Sequence, residues 1–215
     1  MESENFEELT LLIEQGIEAS LVEIESKFSD ETFYAYALST HGDVSSVSFH
    51  ANSHENLQRV YQASEIEIDP ERIEARFTEL EKKLSKDSKR LIKLKNLKAA
   101  ELAYYRWGWM EWLEYECIGD QEVMERTWQW LKDRSQNYLD EDGCLGEKWF
   151  DEVLEIVLNC MKLALKRCDE RGLFGVGKAR EDIVLYYGLY DGDTYGLFEL
   201  NPKVTAEKYK AEFLD

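Results

Sequence analysis

The residues best suited to recognition or chemistry crowd into one stretch, Tyr104 to Glu116, which reads YYRWGWMEWLEYE. It holds three of the six tryptophans and three tyrosines, with Arg106 and three acids among them. Aromatic side chains bury the most area per residue, so part of the stretch belongs where a helical layer meets a sheet. Trp107, Trp109 and Trp112 cannot all face one way on any regular element, however. Some are therefore expected at the surface or against another chain. Trp, Tyr and Arg also dominate the energetics of protein interfaces. Arg106, Trp107, Trp109, Glu111, Trp112 and Tyr115 are accordingly taken as candidate binding residues, divided between core and surface. Glu111 with Glu114 or Glu116 would suit a glycosidase carboxylate pair beside sugar-stacking rings. Acids are so abundant, 45 in the chain, that this coincidence carries little weight, and no catalytic residue is assigned.

Other chemistry-bearing patterns fail on context. Gly172 to Ala179, GLFGVGKA, matches the phosphate-loop spacing, but Ala179 stands where Ser or Thr should hold magnesium. A phosphate loop must also follow a strand and open a helix. Here the pattern follows a helical stretch and leads into a strand, so Gly172 is read as a helix-terminating glycine. His50 and His54 are four apart but straddle an expected strand end and helix start, with no third ligand at a fixed spacing. Asp140-Glu141-Asp142-Gly143 has the composition of a calcium loop, yet Tyr138 and Trp149 fall on the first and last ligand positions. Four irregularly spaced cysteines form no CxxC pair, and Cys160 and Cys168 read as buried free thiols. No metal or cofactor is expected.

Charge narrows the partners. The net charge is -19, which disfavours nucleic acid and anionic membranes and would steer a basic partner. Lys82 to Lys98 runs against that trend, with eight basic residues and one acid, or +7 against -26 for the remainder. A solvated helix face is the expected explanation, with RNA or phosphate binding as a minor reading. No run approaches the ~18 apolar residues that span a bilayer. The acidic start, MESENFEEL, lacks the basic region of a signal peptide, so a cytoplasmic protein is expected.

The elements that must position these residues are legible as periodicities. Asn5 to Phe28 returns Phe6, Leu9, Ile13, Ile17, Leu21 and Ile24 at helical spacing. Glu31 to Asn52 reads as a hairpin whose Gly42-Asp43 loop suits a type II′ turn. That loop pairs Leu38 with Val47, Tyr36 with Phe49 and Tyr34 with Ala51 on one face, leaving Ala35, Ala37 and His50 on the other. A three-residue loop would instead pair Ala35 with Phe49. Asn52 then caps a short helix, with Glu55 completing the capping box. Asp69-Pro70-Glu71 starts a helix free of Gly and Pro to Trp107, with a break expected at Ser85 to Ser88. Glu122 to Ser135, with Trp128 and Leu131 inward, and Trp149 to Cys168 are helical. Ile183 to Tyr190 is a strand buried on both faces. Gly196 to Leu200 returns as its partner, and Thr205 caps a last helix. We expect a single α+β domain over residues 1–215 with a basic helical insertion around 71–103. Its antiparallel sheet would hold about four strands, in two separated hairpins, covered by helices.

The ordered set DETFYAYAL, ANSHENL, YRWGWMEWLEYE, GLFG, REDIVLYYGLYD and ELNP resembles the bacterial family labelled domain of unknown function 4303. The likeness covers nearly the whole chain apart from Lys82 to Lys98. Arg106, Trp107, Glu111, Trp112 and Tyr115 fall on an RW…EW..Y signature. The resemblance implies a bacterial, cytoplasmic, single-domain protein. The favoured expectation is a non-enzymatic binding protein, an immunity-type inhibitor of a basic toxin. The alternative is a small-ligand binder or enzyme with a pocket beside the Tyr104 to Glu116 aromatics.

Overall fold

The computed structural model describes residues 4–42, 44–63, 75, 78–79, 82, 106–107, 121–139, 147–190 and 194–213. Helix α1 (Glu4–Lys27) leads to strands β1 (Phe33–Thr40) and β2 (Val47–Ser53) and helix α2 (His54–Ala63). Helix α3 (Gln121–Ser135) ends in a 3-10 turn at Gln136–Tyr138, and α4 (Glu147–Glu170) follows. The one-turn helix α5 (Lys178–Glu181) precedes β3 (Val184–Leu189) and β4 (Thr194–Tyr195). Helices α6 (Leu197–Leu200) and α7 (Lys203–Phe213) come last. Residues 75, 78, 79, 82, 106 and 107 are helical. The break expected at Ser85 to Ser88 and most of the basic stretch lie outside the described residues.

Strand order is β2-β1-β3-β4, an α+β arrangement with four strands among the described residues, as many as expected. The two hairpins are antiparallel, but β1 and β3 run parallel, so the sheet is mixed rather than antiparallel throughout. β1 and β3 form the central pair, with β2 and β4 at the edges. Only β4 is exposed, and β2 is buried as deeply as the central strands, so burial does not by itself set the order. The chain between the hairpins is long enough for the crossover that a parallel pair requires.

The first hairpin pairs Leu38 with Phe49, Tyr36 with Ala51 and Thr40 with Val47, two residues from the expected register. A tight turn does form, closed by the Val44 amide donating to the His41 carbonyl at 2.8 Å. Val44, however, takes a left-handed backbone (φ 55°) and buries its side chain in the core, so pairing resumes only at Val47. A shift of two preserves the face of every side chain, because strands alternate with period two. A bulge does not. Register slips by one between Phe33 and Ala35, which turns Tyr34 to the same side as Ala35 and Ala37. Phe33 instead stacks on Tyr36 at 5.8 Å.

One face of the sheet carries Tyr36, Leu38, Val47, Phe49, Leu185 and Tyr187 and packs on α1, α3 and α4. Ile13, Ile17, Val157, Met161 and Leu165 fill this layer as their helical spacing dictates. Arg167 and Arg171 of α4 pair with Glu7, Glu14 and Glu18 of α1 and fix the two helices side by side. In α3 the inward tryptophan is Trp130, whose indole N–H donates to Glu8 at 2.8 Å. Trp128, expected inward, is exposed beneath Lys132.

Local endings depart from expectation at three further places. The cap of α2 is Ser53, whose hydroxyl accepts the Asn56 amide at 2.9 Å. Asn52 stays in the strand with its side chain buried, and Glu55 reaches the Thr32 amide instead. The partner of β3 is Thr194–Tyr195, while Leu197 to Leu200 forms a helical turn. Thr205 sits inside α7 and donates to the Glu181 carbonyl at 2.6 Å.

Candidate functional site

The second face of the sheet carries a connected group of buried polar side chains. Tyr34, Ala35, Ala37 and Ser39 come from β1, His50 and Asn52 from β2, and Tyr186 from β3. Ala35 and Ala37 are small, and aromatic rings occupy the space above them. Trp107 is 6% exposed and meets three tyrosines edge-on: Tyr34 at 5.7 Å, Tyr186 at 6.2 Å and Tyr209 at 5.0 Å. Leu57, Leu197 and Ala206 close the layer. Trp107 thus belongs to the core share of the aromatic stretch.

Backbone carbonyls of that stretch are held by phenols. The Tyr34 hydroxyl donates to the Arg106 carbonyl at 3.0 Å, and the Tyr186 hydroxyl donates to the Trp107 carbonyl at 2.8 Å. The Asn52 amide donates to the Tyr34 oxygen at 2.8 Å, and the Asn56 amide donates to Asn52 Oδ1 at 3.1 Å. The chain of donors therefore points from α2 through the sheet to Arg106. It starts at Asn56, a fully buried residue whose Oδ1 accepts no hydrogen bond. Burial pushes the Tyr186 phenol well above its usual range, so it stays a protonated donor.

Beside this chain, Ser39 Oγ and His50 Nε2 lie 2.7 Å apart in the interior. Burial first, and the nearby His41 second, lower the His50 pKa to about 4. A hydroxyl on a neutral imidazole is the pairing used to activate a nucleophile. Both groups are inside the protein, where the contact satisfies two buried polar groups. The register expected from a two-residue loop places His50 opposite Ala35; the shift of two is what brings it beside Ala37 and within reach of Ser39.

At the rim, Glu31 pairs with Arg59 at 2.8 Å and accepts a bond from Ser53, while His54 stacks on Tyr34 at 4.8 Å. The Thr32 amide holds the Glu55 carboxyl below its usual range. Arg106 is half-buried, and its carbonyl lies against the Tyr34 hydroxyl. Of the six candidate binding residues the structure brings Arg106 and Trp107 to this face, and Trp109, Glu111, Trp112 and Tyr115 lie outside the described residues.

The remaining motifs resolve into structure. Gly172 (φ 80°) ends α4 with the paired bonds of a Schellman turn, Leu173 to Cys168 at 3.1 Å and Gly172 to Asp169 at 2.8 Å. Arg180 is buried and bonds Asp169 and the carbonyls of Ile183 (2.6 Å) and Leu200 (2.8 Å). Asn201 pairs with both backbone groups of Leu185 at 2.7 Å, extending the ladder with a side chain. His50 and His54 do not converge: one lies against β1, the other on Tyr34. Cys160 and Cys168 are free and buried, and burial raises the Cys168 thiol to about 11. Among the described residues no cluster of three or more metal-ligating side chains forms, and no helix is long and apolar enough to cross a membrane.

A family model described as domain of unknown function (DUF4303) matches residues 13–202, and the chain belongs to that family. No curated protein and no solved structure matches.

Proposed function

Starting from membership of this family, we propose that the chain is a non-enzymatic binding protein whose partner is a basic protein. The observation that carries this reading is the charge: -19 overall, and -26 once the +7 of residues 82–98 is set apart. Such a field raises the encounter rate with a positively charged partner and repels nucleic acid and anionic surfaces. The finer form of the reading is an immunity-type inhibitor of a basic toxin such as a nuclease, acting in the bacterial cytoplasm. Arg106 and the aromatics to Tyr115 would supply its anchors. Tagged protein incubated with its native lysate and eluted by a salt gradient tests it. One stoichiometric basic protein leaving at moderate salt supports the reading, and recovery of nucleic acid or of nothing opposes it.

A second reading, binding of a small ligand or catalysis beside the aromatics, draws on the unpartnered acceptor of Asn56 and the Ser39–His50 pair. A buried acceptor without a donor is costly, and a ligand N–H or O–H would relieve it. A thermal-shift screen of metabolites checks this. A hit that Asn56→Ala abolishes would favour it, and a screen without hits would remove it.

A further inference from the structure

The two phenol-to-carbonyl bonds act on consecutive residues, and they come from neighbouring parallel strands. Tyr34 and Tyr186 are both nearly inaccessible, and the carbonyls they meet belong to Arg106 and Trp107. Carbonyls of two consecutive residues, each held by a phenol, can neither rotate nor lift without breaking a part-buried or a buried bond. Donor direction is also set. The Tyr34 oxygen already accepts the Asn52 amide, so its single proton is committed to the Arg106 carbonyl. Tyr34 reaches this face only because of the bulge between Phe33 and Ala35. Trp107, wedged among Tyr34, Tyr186 and Tyr209, adds packing at the same point.

We propose that Tyr34 and Tyr186 are positioning residues: a two-point clamp that seats the Arg106–Trp107 backbone on the sheet and presents the half-buried Arg106 to the protein partner. The inference rests on the reading of Arg106 as a binding residue, but the clamp itself is tested without any partner. Trypsin cleaves after arginine, so the bond it must open at this point is the Arg106–Trp107 peptide, whose carbonyl the Tyr34 phenol holds. Cleavage there requires local release, and its rate follows the population of the released state.

Tyr34→Phe and Tyr186→Phe each remove one hydroxyl and keep the ring. Limited trypsin digestion of the full chain, with each cut timed by mass spectrometry, compares them with the parent. The clamp predicts a rise of about three- to tenfold in cleavage after Arg106, the loss expected for one buried hydrogen bond. Cleavage after Lys178 and Lys203 serves as reference and stays unchanged. An equal rise at all three sites would mean general loosening and would overturn the proposal. So would an unchanged rate after Arg106 in both variants. Tyr34→Phe stands alone if the more deeply buried Tyr186→Phe does not fold. Because no partner is present, a negative digestion result strikes the clamp, whereas failure of the binding reading shows only in the lysate capture.

Discussion

His50 is neutral inside the sheet, and that choice has a pH signature. Its pKa falls from 6.5 to about 4 because burial penalises the charged ring, with His41 adding to the effect. The unfolded chain therefore binds a proton more readily than the folded one below pH 6.5. The stability carried by the neutral form is complete above that pH and is lost as pH falls towards 4. The full loss is about 3 kcal/mol, from 1.36 kcal/mol per unit. Urea unfolding at pH 7 and pH 4.5 should show it, and His50→Gln should flatten the difference. Arg180 makes a second residue-level case. It joins Asp169 to the carbonyls of Ile183 and Leu200, three separate points of the chain. Arg180→Ala leaves those buried acceptors without a donor and is expected to cost about 3 kcal/mol by chemical denaturation. Neither role is legible in the sequence. Arg180 sits in an exposed-looking RED triplet, and nothing local says that its partners lie 11 and 20 residues away.

Between elements, the close passage of β4 into α6 is governed by Gly196. Its φ is 92°, and a Cβ there would come within 2.8 Å of the Tyr187 ring. Gly196→Ala is expected to destabilise by about 1–3 kcal/mol, read as a lowered denaturation midpoint with unchanged slope. The helices are legible because their apolar residues recur at helical spacing, so α1 and α4 lie within about two residues of where periodicity puts them. The existence of β1 to β3 is legible too, and so are their faces apart from Tyr34, whereas Gly196 to Leu200, expected as a strand, is a helical turn. What periodicity cannot carry is partner choice: β1 and β3 are apolar on both sides, so nothing in either names the other as a parallel neighbour. The bulge that turns Tyr34 is hidden too, because one extra residue leaves no mark in an aromatic-rich strand. In α3, Trp128 and Trp130 are equally apolar, and the one that turns inward packs in the core beside Leu131 and meets Glu8 of α1, a partner distant in sequence. Of the aromatic stretch Tyr104 to Glu116, a core share is foreseeable in kind, and among the described residues Trp107 belongs to it.

For the whole molecule, the charge is the property on which the proposed function rests. A field of this sign accelerates encounter with a basic protein and is screened over ~8 Å at physiological ionic strength. Affinity is then expected to divide into a salt-sensitive association rate and a salt-insensitive dissociation rate set by buried anchors. Arg106→Ala should raise the dissociation rate by roughly tenfold or more while leaving the association rate within about threefold, as surface plasmon resonance would record. The most direct measurement of the central claim is the association rate of the captured basic protein across roughly 50 to 500 mM salt. A fall of about ten- to a thousandfold over that range is expected. A rate that stays flat would contradict it, because the acidic surface would then have no part in bringing the partner in.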